Sequence, residues 1–180
     1  MTERTVYLPG GKARVGSRLI VAVQIVLAVG LLAAILFSMQ GNTGQKRDMP
    51  EQLAGMKLVK HLEGKEAVSQ MNQLHGTDIG VTGGFLAEYA GASQRLSVWV
   101  GKTNGEAAAA ELLRIMTDKI AAGNPTFTGL QKSTLEGKTV FSVQSREGRH
   151  YYYQSGDAVV WLAVQAPEPL SVAREALRTF

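Results

Sequence analysis

An uncharged apolar segment constrains this chain more than any other feature. Residues 19–39 read LIVAVQIVLAVGLLAAILFSM and contain no Asp, Glu, Lys or Arg. A helix rises about 1.5 Å per residue, so a segment of this length spans about 30 Å, the thickness of the hydrocarbon layer of a bilayer. Lipid offers no hydrogen-bond partner to the backbone, and a helix pairs all of its own N–H and C=O groups. The segment therefore predicts a single transmembrane helix.

A cleaved signal peptide is the main alternative. The apolar core of a signal peptide is about 7–15 residues long and is followed by a cleavage site with small residues. Here the apolar run is longer, and it ends in Phe37-Ser38-Met39-Gln40, which has no Ala-x-Ala pattern. We therefore expect an uncleaved membrane anchor.

The charges beside this segment predict its orientation. Residues 1–18 contain the acidic Glu3 and four basic residues, Arg4, Lys12, Arg14 and Arg18. Short basic flanks stay in the cytoplasm, so we expect residues 1–18 to form a cytoplasmic basic tail and the rest of the chain to lie outside the cytoplasm. The chain carries a net charge of +4, most of it in this tail. The remainder is nearly neutral, which argues against a nucleic-acid-binding domain.

Three residues within 19–39 predict a contact between membrane helices. Gln24 is the strongly polar side chain of the segment, and Gly30 and Ala34 form a small-xxx-small pair. Small residues let helices approach closely, and polar side chains hydrogen-bond across the contact. Gln24, Gly30 and Ala34 are therefore candidates for such a contact. We favour the alternative, in which Gln24 lies near the membrane interface and Gly and Ala only fill the helix.

The composition after the apolar segment predicts a linker and one domain. Residues 40–54 are polar and contain two Gly and one Pro, which is typical of a linker. Residues 55–180 have the size of a single domain. The chain contains no cysteine, which excludes disulfide bonds, a thiolate nucleophile and a Cys-ligated metal. We expect no cofactor and no metal site.

Amphipathic spacing predicts three helices in this domain. The first covers 65–74 and the second 105–122, where Thr103 and Glu106 have the spacing of a capping box. The third follows Pro169. Its predicted buried face consists of Leu170, Ala173, Leu177 and Phe180.

Alternating apolar residues predict an antiparallel sheet. Strands are expected at 55–59, 79–89 and 95–100, and Gly83-Gly84 interrupts the second of them. Three further strands are joined by short turns and form a C-terminal three-stranded meander, at 139–145, 150–154 and 158–164. The predicted fold class is therefore α+β: an antiparallel sheet packed by about three helices.

The three histidines of the chain are weak candidates for a metal or acid–base site. His61 with Glu63, and His75 with Asp78, are close pairs in sequence, whereas His150 begins a predicted strand. His75 precedes Gly76 at a helix end, where we expect it to interact with the last carbonyl groups. A zinc site needs three or four converging ligands, and the spacing predicts no such convergence.

Aromatic residues cluster in the predicted meander. Tyr151-Tyr152-Tyr153 follow His150, and Trp161 lies in the next strand. Consecutive strand residues face opposite sides, so either Tyr152 or the pair Tyr151 and Tyr153 faces outward. Tyr151, Tyr153 and Trp161 are candidates for a partner or ligand surface, since exposed aromatic rings stack on sugars, peptides and proteins. We favour the alternative, ordinary cross-strand packing under a helix.

No phosphate-binding loop, dinucleotide fingerprint, nucleophile elbow or zinc-protease motif occurs in the sequence. We therefore expect a single-pass, non-catalytic interaction domain. Its partners would be the lipid bilayer, through the anchor, and another membrane or extracytoplasmic protein, of which it would be an accessory subunit. One alternative is a domain that binds or senses a small molecule or an envelope polymer. A less favoured one is a hydrolase that uses histidine and carboxylates.

Overall fold

The computed structural model describes residues 49–180. The predicted basic tail, the predicted membrane helix with Gln24, Gly30 and Ala34, and residues 40–48 of the predicted linker lie outside the described residues. Within 49–180, no helix is both long enough and apolar enough to cross a membrane.

Residues 49–180 form an α+β domain with one antiparallel sheet of eight strands and three helices, which confirms the predicted fold class of this region. The helices are α1 (Gly64–His75), α2 (Glu106–Ala121) and α3 (Pro169–Thr179). The strands are β1 (Gln52–Leu53), β2 (Met56–Glu63), β3 (Gly83–Ala90), β4 (Arg95–Lys102), β5 (Thr128–Leu135), β6 (Lys138–Gln144), β7 (Arg149–Ser155) and β8 (Ala158–Gln165).

The strand order is β1-β2-β3-β4-β8-β7-β6-β5. The predicted C-terminal meander is confirmed as β6, β7 and β8, which pair in sequence order. Two sheet ends are defined by this order. We call the end with the turns 91–94 and 145–148 the lower end, and the end with the turn 156–157 the upper end.

The main core lies between α3 and one face of the sheet, which we call the α3 face. Alternate residues of β3, β4, β7 and β8 point into this core, and α3 contributes Val172, Ala173, Ala176 and Leu177. The ammonium group of Lys138 donates to the carbonyl oxygens of Leu177 (2.7 Å) and Phe180 (3.0 Å). A cation at these last carbonyls stabilises the end of α3. Lys138 therefore fixes the helix over the upper end.

The opposite face, which we call the α1–α2 face, is covered less completely. Met71 of α1 lies against the backbone at Gly101, at the upper end of β4, and α2 packs on β7 and β8. Leu112 of α2 and Trp99 of β4 lie at the edge of the small core beneath α1. The lower half of β2, β3 and β4 on this face has no helix over it.

The domain begins before residue 55, the boundary predicted from composition. Met49 and Leu53 are buried in the main core, with 4% and 3% exposure. β1 also pairs with the start of β2. The last residues of the predicted linker therefore belong to the fold, because two apolar side chains among polar ones are enough to anchor the segment to the core.

Two further expectations differ from the structure. The strand β5 was not predicted, because its polar sequence lacks the alternation of a half-buried strand. In α3, Leu170 is 43% exposed, whereas Val172 and Ala176 are buried. Ala173 and Leu177 are buried and Phe180 packs against the main core, as predicted, so Leu170 is the residue of the predicted buried face that lies outside it.

Candidate functional site

The structure separates the residues of the predicted aromatic surface. Tyr151 and Tyr153 lie on the α3 face, where α3 and the neighbouring strands leave them 5% and 0% exposed. Trp161 lies on the α1–α2 face, directly opposite Tyr152. The three predicted residues thus do not form one exposed surface, because β7 is a central strand that is covered on both sides.

Trp161 instead belongs to a stack of aromatic rings on the α1–α2 face. The ring of Tyr152 stacks between those of Trp161, with centroids 4.9 Å apart, and Phe141, with centroids 5.3 Å apart. Phe127, from the loop before β5, packs on Trp161 at 5.2 Å. Directly opposed residues of an antiparallel pair are close enough for such contacts, and they stiffen the sheet beneath α2.

His150 is fixed beside this stack by two side-chain hydrogen bonds. The indole N–H of Trp161 donates to Nδ1 of His150 (3.1 Å), so Nδ1 is the unprotonated nitrogen. Nε2 therefore carries the proton and donates to Oγ of Ser145 (2.8 Å). Burial lowers the pKa of His150 to about 4. The imidazole is neutral near pH 7.

The contact between Ser145 and His150 does not activate a nucleophile. A general base must accept the hydroxyl proton of serine, but Nε2 already holds a proton. The Ser145 hydroxyl also accepts a hydrogen bond from the backbone N–H of Glu147 (3.1 Å). In both contacts Oγ of Ser145 accepts the hydrogen bond. The pair Ser145 and His150 therefore stabilises the conformation of the turn 145–148.

The other two histidines have separate environments. Nδ1 of His75 lies 2.8 Å from the carbonyl oxygen of Met71 at the end of α1, which agrees with the predicted interaction at the helix end. Asp78 accepts from the backbone N–H of Gly80 (2.8 Å), as in an Asx turn. His61 is half-buried in β2. Across residues 49–180, no three His, Asp or Glu side chains form a group that could hold a metal ion.

A groove of about 330 Å³ lies on the uncovered lower half of the α1–α2 face. Its floor includes the half-buried Trp99 and Ser97 of β4, and Gln70 of α1 forms part of one wall. Glu88 and Arg95 bring charges of both signs to it. We call this depression the groove.

A second, wider hollow of about 660 Å³ lies on the α3 face, on the other side of the lower end of the sheet from the groove. Arg146, Arg149 and Tyr151 line it, together with the start of α3 at Pro169. We call this hollow the cleft. Glu147 and Gln165 line both the groove and the cleft, so the two meet at the lower end of the sheet.

The described chain also starts near this lower end. A single row of paired residues crosses the sheet, in the order Leu58, Tyr89, Leu96, Val164, Arg149 and Gln144. The hydroxyl group of Tyr89 donates to the carbonyl oxygen of Pro50 (3.1 Å). The backbone N–H of Leu58 also donates to the carbonyl oxygen of Glu51 (2.9 Å), so Glu51 lies in this row and the chain runs from Met49 toward the lower end.

Sequence reasoning identified Trp161 but missed Ser97 and Trp99. The alternation of β4 contained a usable signal, since Leu96 and Val98 on one face leave Ser97 and Trp99 on the other. Comparison with protein-family models, with curated proteins and with solved structures gives no match for this chain.

Proposed function

We propose that the chain is a single-pass membrane protein whose domain binds another membrane or extracytoplasmic protein and does not catalyse a reaction. The observation that carries this proposal is the groove, a part of the α1–α2 face of the sheet that α1 and α2 leave open. Its half-buried Trp99 is surrounded by the polar Gln70, Ser97, Glu88 and Arg95. An aromatic centre with a polar rim is typical of protein interfaces.

The predicted membrane anchor supports a partner that is close to the bilayer. Residues 40–48 connect the predicted helix to the buried Met49, and they span at most about 30 Å when fully extended. The domain is then held beside the membrane with its groove within reach of the exposed part of a membrane protein. In the predicted orientation, this partner lies outside the cytoplasm.

Site-specific photocrosslinking in the full-length chain tests this proposal. A photoreactive phenylalanine analogue replaces Gln70, which lines the groove, or Gln73, which is exposed in the same helix but does not line it. After irradiation of intact membranes, we expect an adduct with one protein from position 70 and little or none from position 73. Mass spectrometry of the adduct identifies the partner.

Two outcomes would contradict the proposal. The first is equal labelling from both positions, which indicates collisions rather than docking. The second is a lack of adducts together with a monomer in native sizing after gentle detergent extraction. An adduct between two copies of the chain would assign the groove to self-association.

Binding of a small molecule or an envelope polymer is the second candidate function. Trp99 favours it, because a half-buried indole beside hydrogen-bonding side chains such as Gln70 and Ser97 suits stacking of a sugar ring. A ligand at one hundred times its Kd stabilises the folded state by about 2.7 kcal/mol. A rise in Tm with envelope saccharides in the wild type, lost in Trp99→Leu, would favour this candidate over a protein partner.

A further inference from the structure

The strand β5 has one free edge. Within residues 49–180 it pairs with β6 on one side and is the last strand of the sheet on the other. The side chains of residues 131–134 are all exposed, so no helix covers this stretch on either face. β5 is eight residues long, whereas β1 at the opposite edge has two residues. A long open edge can accept a further strand.

The turn between β5 and β6 determines which backbone groups face this edge. It consists of Glu136 and Gly137, both with positive φ angles (48° and 75°), as in a two-residue type I′ hairpin. The residues on either side of such a turn bond to each other, and the bonding then alternates along the strands. The N–H and C=O groups of Lys132 and Thr134 therefore point away from β6. Within residues 49–180, no group of another segment bonds to them.

A bulge limits the regular edge to the upper part of β5. The register with β6 shifts between Thr128 and Gln131, and Gly129 in this stretch has a φ angle of +63°. A bulge bends a strand and interrupts its ladder of hydrogen-bonding groups. The regular edge therefore runs from Gln131 to Leu135. We call residues 131–135 the β5 edge.

Basic side chains lie on both faces of the β5 edge. On the α1–α2 face, the ammonium group of the exposed Lys132 lies 5.9 Å from the ring centre of Phe141. On the α3 face, Nη2 of Arg149 donates to Oε1 of Gln131 (3.0 Å) and to Oγ of Ser142 (3.3 Å), which are both uncharged. Neither cation has a carboxylate within ion-pair distance in the described part of the chain. Both therefore remain available to an external carboxylate.

The upper end of the β5–β6 hairpin is also basic. The guanidinium groups of Arg174 (2.7 Å) and Arg178 (3.2 Å) share the single carboxylate of Glu136, which leaves an excess of positive charge. In residues 49–180, the hairpin and the charged side chains that bind to it thus comprise the one carboxylate of Glu136 and five cations, Lys132, Lys138, Arg149, Arg174 and Arg178.

Other carboxylates nearby do not offset this charge. The exposed Glu111 and Asp118 of α2 are both bound by Arg114, at 2.7 and 2.6 Å. Glu147 follows Arg146 in the turn 145–148, at the lower end of the sheet and beyond the bulge. The β5 edge is therefore surrounded by net positive charge, and an acidic strand complements it.

A second copy of the chain is a poor partner for the β5 edge. The antiparallel register that uses all the outward backbone groups places Lys132 of each copy opposite Thr134 of the other. The two lysines are then diagonal neighbours on one face, about 7–8 Å apart. Like charges so close destabilise the pairing, and lysine on an edge strand commonly prevents self-association in this way. Lys132 thus disfavours the same chain and favours acidic residues.

We propose that the β5 edge binds an extended acidic segment of a partner protein as a ninth strand of the sheet. The backbone of this segment bonds to Lys132 and Thr134, and its carboxylates contact Lys132 on one face and Arg149 on the other. The interface is separate from the groove, because β6 lies between β5 and all the strands that line the groove. It therefore does not depend on what the groove binds.

Peptide binding to the full-length chain in detergent tests the proposal. The probe is a fluorescent peptide of alternating Thr and Glu, about nine residues long, which is the length of a strand. One control peptide has Lys in place of Glu. The other carries methyl groups on its backbone nitrogens, which remove the hydrogen-bond donors that a ninth strand needs. In fluorescence anisotropy, we expect the wild type to bind the Thr/Glu peptide and neither control.

Substitutions in β5 separate the backbone contribution from the charge contribution. Thr134→Pro removes an outward N–H that the fold does not use, and edge strands tolerate proline at such positions. We expect it to weaken binding of the Thr/Glu peptide at least about tenfold, whereas Thr134→Val should keep the affinity. Lys132→Gln should weaken binding about fivefold, and the matched control Lys65→Gln in α1 should not. Circular dichroism verifies that each variant is folded.

Three results would overturn the proposal. Failure of the wild type to bind the Thr/Glu peptide shows that the edge has no site for an acidic strand. Equal binding of the methylated peptide indicates attraction by charge alone, without a ninth strand. A dimer in native sizing that is lost in Thr134→Pro assigns the edge to a second copy. None of these results changes the expected crosslink from position 70, so the groove is tested separately.

Discussion

At the scale of single residues, two tyrosine hydroxyl groups have opposite hydrogen-bonding states. The hydroxyl of Tyr153 is fully buried and has no hydrogen-bond partner among the described residues, whereas that of Tyr89 donates to Pro50. Burial raises the pKa of both phenols, that of Tyr89 to about 12. An unmade hydrogen bond in the core costs free energy, and a made one contributes about 1 kcal/mol.

We therefore predict opposite effects of removing the two hydroxyl groups. Tyr153→Phe should leave the free energy of unfolding unchanged or raise it by up to about 1 kcal/mol, because no bond is lost. Tyr89→Phe should lower it by about 1 kcal/mol. Urea unfolding of residues 48–180 measures both, and an equal loss in the two variants would contradict the prediction.

A pH dependence of stability follows from His150. Its pKa falls from an ordinary 6.5 to about 4 in the folded state, because burial disfavours the charged ring. Between these values the unfolded chain binds more protons than the folded one, so the free energy of unfolding decreases as the pH falls from 6.5 toward 4. The full shift corresponds to about 3 kcal/mol.

Unfolding measured between pH 7 and pH 5 checks this dependence before most carboxylates titrate. His150→Gln keeps an acceptor for the indole of Trp161 but has no titrating group. We expect this variant to be less stable at pH 7 and to have a much flatter profile in this range. A wild-type profile that is already flat would place the pKa of His150 near its ordinary value.

The tyrosine triplet shows that the sheet face of a residue could be predicted from the sequence, whereas its burial could not. Alternation correctly placed Tyr152 on the face opposite Tyr151 and Tyr153. It could not show that α2 and α3 cover both faces of β7, since that depends on how distant segments pack. The bond from Trp161 to His150 likewise depends on the register between β7 and β8, which no local pattern specifies.

At the scale of elements, Gly84 is required by the pairing of β3 with β4. Its φ angle is +127°, and a Cβ atom there would lie 1.8 Å from the carbonyl oxygen of Val100. Neighbouring Gly83 has no atom within 4 Å of such a position and no positive φ angle. The backbone of β4 thus leaves no room for a side chain at Gly84, whereas a methyl group fits at Gly83.

We predict that Gly84→Ala destabilises the domain by about 2 kcal/mol or more, because backbone must move to admit the methyl group. Gly83→Ala should change the free energy of unfolding by less than about 1 kcal/mol. Denaturant unfolding of the two variants side by side is the measurement. Similar losses would show that the strand can shift to accept either methyl group.

The helices and the meander could be predicted because their patterns are local. Hairpin turns and alternating apolar residues define β6 to β8, and amphipathic spacing defines α1 and α2. β5 could not be predicted, because its residues are mostly exposed and its place is fixed by pairing with β6. The capping-box prediction for Thr103 was wrong. Its hydroxyl contacts the carbonyl oxygens of Gly105 and Asp157, each at 2.9 Å, and does not accept from a backbone N–H at the start of α2.

At the scale of the whole molecule, the extent of the domain is set by burial rather than by composition. Met49 and Leu53 enter the main core from a polar segment. We predict that residues 48–180 fold stably, whereas residues 55–180 lose at least about 3 kcal/mol, because two buried side chains and the pairing of β1 are removed. Circular dichroism and urea unfolding of the two fragments measure the difference, and equal stability would show that β1 is dispensable.

The groove and the cleft could not be predicted as a site. The sequence shows the turn arginines and the residues of β4 separately, far apart along the chain. Their meeting at the lower end depends on one pairing, that of β4 with β8, which places Arg95 opposite Gln165. Non-local pairing of this kind leaves no periodic signal in either strand.

That same pairing determines the order in which the sheet can be completed. β1 to β4 pair with their neighbours in sequence, as do β5 to β8, and only the contact between β4 and β8 joins the two halves of the described sheet. Since β8 follows all the other strands of residues 49–180, β4 keeps an open edge during synthesis until nearly the whole described domain has emerged. Open edges pair readily with other chains, and long-range closure is slow. We therefore expect chaperone protection to matter most during synthesis, after β4 has emerged and before β8 pairs with it.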